Sequence, residues 1–91
     1  MYNLNMNNLE KTLKALANKR RLAIIKHLKE NKESSVSEIS DGINLSFRST
    51  SRHLAILFSA SILEKEQKNI QVFYRLSLSQ ESVAKHVAGI L

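Results

Sequence analysis

A chain of 91 residues, 43% hydrophobic and 24% charged, closes one small hydrophobic core with little surplus stability, so burial against a second subunit would help it. It contains no cysteine, which excludes disulfides, thiolate metal sites and thiol redox chemistry, and its apolar runs, such as Leu22 to Ile25, are too short to span a membrane. The excess of 14 Lys and Arg over 8 Asp and Glu leaves a net charge of +6, which suits a polyanionic partner such as nucleic acid.

The first residues, Met1 to Asn8, have neither the basic start nor the apolar run of a signal peptide, and a cytoplasmic location is expected. With no proline and two glycines, Asn, Ser and Asp supply the punctuation. Met6, Leu9, Leu13, Leu16 and Ala17 recur at helical spacing and predict a first helix over about 8–18, capped by Asn7 or Asn8. A second helix over about Lys19 to Asn31 carries Leu22, Ile25 and Leu28, widened by Ile24, and the run Asn31 to Ser35 reads as a loop.

Ser35 precedes Glu38 by the spacing of a capping box, so a short third helix is predicted over about Val36 to Gly42, burying Val36 and Ile39 beside Ile43. After the turn Gly42 to Leu45, Ser46 caps a fourth helix reaching about Ala60. Two short helices joined by a tight glycine-containing turn make a helix-turn-helix, here about 36–60. Helical projection sends Phe47, Thr50, Leu54, Leu57 and Phe58 toward the core and Arg48, Ser49, Arg52, Ile56 and Ser59 outward. The period then changes. Ile62 to Gln67 and Ile70 to Leu76 read as strands around Lys68-Asn69, a hairpin wing over about 62–76, with Val72, Tyr74 and Leu76 on one face and Phe73 and Arg75 on the other. A last helix from near Ser79 carries Val83, Val87 and Ile90, with Ala84 and Leu91 alongside.

The expected fold is mainly α with a β-hairpin, a winged helix-turn-helix in the order α-α-α-α-β-β-α, as one domain over residues 1–91. The apolar stripes of the terminal helices, Leu9 and Leu13 with Val83, Val87 and Ile90, are the expected homodimer interface. The competing expectation folds both helices back onto their own core.

Three segments resemble the ArsR family of winged-helix repressors. Leu16 to Leu28 is similar to its Leu-Ala-Asp-Pro-x-Arg opening, Ser51-Arg52-His53-Leu54-Ala55-Ile56-Leu57 to its recognition helix, and Val72-Phe73-Tyr74-Arg75-Leu76 to the end of its wing. The resemblance implies a homodimer that represses a promoter, placing two fourth helices in successive major grooves of a palindrome about ten base pairs apart. The chain departs from the family pattern at Lys19 for Pro, at Ser61 and Asn69 for Gly, and at Phe47 for a polar residue.

On that reading the DNA-binding candidates are Ser46, Arg48, Ser49, Ser51, Arg52 and His53 on the fourth helix, and Lys65, Lys68 and Arg75 on the wing. Arg21 is either a phosphate contact or a structural residue. Ser35 and Ser37 occupy the positions of the family's metal-binding cysteines, and hydroxyls do not replace thiolates on a soft metal. Glu81 and His86 are spaced onto different helix faces, so no metal or other cofactor is expected. No cysteine nucleophile or glycine-rich phosphate loop supports an enzyme. The alternative function is a winged-helix module that binds protein within a transcription assembly, a role that exposed Ile56 and Phe73 would favour.

Overall fold

The computed structural model describes residues 5–78 and 82–91. Its elements are α1 (Met6–Leu16), α2 (Lys19–Asn31), β1 (Glu33–Ser35), α3 (Val36–Ile43), α4 (Phe47–Ser59), β2 (Leu63–Lys68), β3 (Gln71–Leu76) and α5 (Ser82–Ile90). The expected start of the last helix near Ser79 lies outside the described residues.

Helix α1 begins and ends two residues earlier than the apolar spacing predicts. Asn5, rather than Asn7 or Asn8, caps it by accepting from the Asn7 and Asn8 amides. Asn18 is needed elsewhere, as the cap of α2, where its side chain accepts from the Arg20 and Arg21 amides at 2.9 and 3.1 Å. Lys19, in the place of a proline, takes the first helical position. The capping box is formed as expected, Glu38 N–H to Ser35 Oγ at 3.2 Å and Ser35 N–H to Glu38 Oε1 at 2.8 Å.

The segment read as a loop contains a strand. Residues Glu33, Ser34 and Ser35 pair antiparallel with Arg75, Tyr74 and Phe73, giving a three-stranded sheet of order β1-β3-β2. Its serines are buried because their hydroxyls are used, Ser34 by the His27 ring at 3.1 Å and Ser35 by the α3 cap. The β2–β3 turn is Asn69-Ile70, one residue beyond the expected Lys68-Asn69, with Asn69 in the left-handed region at φ 60°.

Ile24, Ile25, Leu28, Ile39, Leu54, Leu57 and Ile62 are fully enclosed between the helices and the sheet. On α4 the buried strip is narrower than the projection predicts. Thr50, Leu54 and Leu57 are buried, but Phe47 and Phe58 are 58% and 40% exposed. Phe47, in the first turn, reaches beyond the core to a cleft shared with Ile70 and Val72. Phe58 lies at the edge, where the Lys65 ammonium sits 4.4 Å from its ring centroid.

The terminal helices each divide their apolar residues between two surfaces. Ala15, Leu16, Ala84 and Ala88 close onto the core, while Met6, Leu13 and Ile90 are 73%, 48% and 70% exposed. The expectation that both helices fold back onto their own core holds for one side of them.

Two substitutions test the packing, one on α4 and one between α2 and α3. The Thr50 side chain is fully buried, and Oγ1 has no hydrogen-bond partner among the described residues. An unmet buried hydroxyl costs about 1 kcal/mol or more, so Thr50→Val, which keeps the shape, should raise the melting temperature by roughly 4–8 °C. A fall on thermal unfolding would show that the hydroxyl is satisfied.

Gly42 answers to packing rather than to the turn. It has no positive φ, but a Cβ there would stand 2.6 Å from His27 Nδ1, and the ring is held by Ser34. Elsewhere in a helix Gly→Ala stabilises by about 0.5–1 kcal/mol. Here Gly42→Ala should destabilise by about 1–2 kcal/mol through overpacking. Adding Gly42→Ala to His27→Ala should instead be stabilising, and a double-mutant cycle by urea unfolding reads the difference.

Candidate nucleic-acid interface

The local sequence sets α4 on the surface. Asn44, at φ 56° and ψ 51°, ends α3 in the left-handed conformation that Asn tolerates, and its amide closes on the Asp41 and Ser40 carbonyls. The chain then enters α4 through Ser46, whose Oγ accepts the Ser49 amide at 3.1 Å. With Leu54 and Leu57 inward, Arg48 and Arg52 are exposed one turn apart, and neither has a hydrogen bond or ion pair among the described residues. Each guanidinium keeps its planar set of donors free, the geometry that pairs bidentately with guanine or clamps phosphate. Ser46 is exposed beside them, while Ser49 and Ser51 are half-buried.

His53 lies against α2. Its Nδ1 is 3.2 Å from Arg21 Nη1, while Arg21 Nε donates to the Ala15 carbonyl at 2.6 Å and Nη2 to that of Lys14 at 3.1 Å. Burial, then the Arg21 and Arg20 charges, hold the His53 pKa below the ordinary imidazole value. Arg21 is therefore structural, a role that no local pattern in the sequence separates from phosphate binding.

The wing cations already have partners. Lys68 Nζ contacts Glu33 Oε1 at 2.6 Å, a bond that raises the Lys68 pKa. Arg75 bridges Glu64 at 3.1 Å and Glu66 at 3.3 Å. Lys65 covers Phe58. Glu33 reaches Lys68 because the segment expected to be a loop is β1, paired with β3. The structure thus brings Ser46, Arg48 and Arg52 together at one open surface and sets Lys65, Lys68 and Arg75 apart, in contacts within the protein.

Among the described residues no three His, Asp or Glu side chains cluster as metal ligands. Glu81, considered with His86 in the sequence, lies outside them. No described helix is long and apolar enough to cross a membrane.

Residues 18–65 match the family described as bacterial regulatory protein, arsR family. Over 68 residues the chain is 41% identical to the transcriptional activator HlyU of Vibrio cholerae serotype O1, a match covering 75% of this chain and 62% of that protein. The matched part is thus less than two thirds of that relative's length. Reduced HlyU from Vibrio cholerae superposes with a TM-score of 0.79 at 35% identity, covering 93% of this chain and 85% of that one. The homodimeric winged helix-turn-helix DNA-binding domain of a Mycobacterium bovis protein gives 0.79 at 26% identity, over 99% and 86%. The transcriptional repressor BigR from Xylella fastidiosa gives 0.77 at 30% identity, over 93% and 83%.

Proposed function

Since the chain belongs to the arsR family of bacterial regulatory proteins, which are not enzymes, we propose that it is a cytoplasmic homodimeric repressor that binds a palindromic operator through α4. The observation that carries this reading is the pair Arg48 and Arg52, exposed, one turn apart on the second helix of the helix-turn-helix and, among the described residues, unpaired. Ser46 and Ser49 add short polar contacts at the helix start. Residues 1–91 act as one unit, and the two copies of α4 enter successive major grooves about ten base pairs apart. Occupying a promoter in this way blocks polymerase.

The experiment is a titration of duplex DNA at several salt concentrations, beginning low, where contacts to phosphate give even random sequence measurable affinity. A selected operator should bind more tightly than random duplex. Absence of binding to either at low salt would overturn the proposal. A protein-binding role would then lead, and the exposed Phe47 beside Ile70 and Val72 is the surface that favours it.

The dimer is formed by the outer sides of α1 and α5, through the exposed Leu13 and Ile90 and the half-buried Leu9, while Val83 and Val87, which pack against the chain's own core, reach the interface only at its edge. Leu13→Glu combined with Ile90→Glu should give a folded monomer, since both side chains are exposed and the charges would be buried only at an interface. Sedimentation checks this at micromolar protein. A wild-type chain that is monomeric at high concentration would remove the dimer and the palindrome together.

A further inference from the structure

A groove of about 380 Å³ runs between α1 and the outer side of α4, lined by Lys11, Lys14 and Arg21 on one wall and by Ala55, Ile56 and Ser59 on the other. Arg21 spends its donors within the protein. Among the described residues Lys11 is exposed with no ion pair, and the Lys14 ammonium pairs with Glu10 alone, at 3.9 Å with both side chains largely exposed. Such a pair is worth little, so both ammonium groups are available. Among the described residues no acidic side chain lines the groove.

The groove continues the surface already assigned to DNA. Ile56 follows Arg52 by one turn, so the exposed stripe of α4 runs from Arg48 and Arg52 directly into it. At 13 residues α4 is about 20 Å long, against a major groove about 12 Å wide. With the first turns at the base edges, the end carrying Ala55, Ile56 and Ser59 stands at the rim, where the phosphates are. Lys68 and Arg75 are ion-paired with acids on the sheet at 2.6, 3.1 and 3.3 Å, closer than the 3.9 Å between Lys14 and Glu10.

Resting on the DNA-binding reading, we propose that the α1–α4 groove seats the sugar-phosphate backbone flanking the recognised bases. Lys11 and Lys14 donate to phosphate oxygens, while Ala55 and Ile56 pack against deoxyribose. These contacts add affinity without sequence preference.

The test compares wild type, Lys11→Gln/Lys14→Gln and Arg48→Ala/Arg52→Ala, each titrated with a random-sequence duplex of about 30 base pairs from about 50 to 200 mM KCl. Glutamine keeps helix propensity, so folding should be unchanged, and circular dichroism verifies it. The lysine variant should lose about two units of salt slope and roughly 10–100-fold in affinity at about 100 mM KCl. Wild-type slope and affinity in a folded lysine variant would overturn the groove proposal. Weakened self-association with DNA binding intact would also overturn it, assigning the groove to a second copy. If only the arginine variant loses affinity, the groove falls and the DNA reading stands; if wild type itself binds no duplex, both fall.

Discussion

Arg52→Ala is expected to weaken operator binding by about 1–3 kcal/mol, roughly 5- to 150-fold, and to relax discrimination at one base position. The expectation follows from the two sides of α4. Thr50, Leu54 and Leu57 are held in the core, so Arg48 and Arg52 enter a groove while that packing stays intact. A guanidinium on a base edge and one on a phosphate leave different signatures. The first loses affinity only for the operator; the second weakens all duplexes alike and lowers the salt slope by about one unit. Arg48→Ala can therefore be sorted from Arg52→Ala by titrating selected and random duplexes at several salt concentrations. The double substitution should cost more than either alone, though neighbouring residues need not add. Thermal melting should barely change, because alanine suits an exposed helix position. A double variant that melts normally and binds its operator as wild type does would show that α4 is not the reader.

The helix-turn-helix was legible because its signals are local. Ser35 with Glu38, and Ser46 before an amphipathic run, depend on residues within one turn of each other. The turns survived the loss of favoured glycines because Ser61 and Asn69 adopt the left-handed conformation themselves, at φ 61° and 60°. The features that escaped were set by distant partners. Polar β1 does not read as a strand, since what makes it one is pairing with β3 far along the chain, with Ser34 also hydrogen-bonded to the His27 ring. Helical projection gives the direction of Phe47 and Phe58 but not the width of the core beneath them. The wing cations looked available until β1 brought Glu33 to Lys68 and the β2–β3 register set Glu64 opposite Arg75. His53 sits inside a family motif for DNA reading, yet its ring contact is settled by α1 and α2.

The contacts of Arg21 lead to the largest expected loss of stability. Four carbonyls at the end of a helix lack intrahelical partners. In α1, Leu13 receives the Ala17 amide and Leu16 the Asn18 amide, which leaves Lys14 and Ala15, the two that Arg21 satisfies. Arg21→Met should keep the aliphatic stem and cost about 2–3 kcal/mol, because hydrogen bonds to a charged group are worth more than neutral ones. Arg21→Lys should recover little, since one ammonium cannot span both carbonyls and the His53 ring. The same cluster predicts a pH dependence. Arg21 can only donate, so His53 Nδ1 accepts and the ring is neutral, its proton on Nε2. Burial and the Arg21 and Arg20 charges lower its folded pKa below the ordinary 6.5. The unfolded chain therefore takes up a proton first, and this stabilisation is complete above about pH 6.5 and is lost as pH falls toward the folded value. Urea unfolding of wild type and His53→Gln between about pH 8 and pH 5 isolates the effect. The glutamine variant should lose less stability across the acidic part of that range. Equal losses in both proteins would mean that the proton is taken up elsewhere.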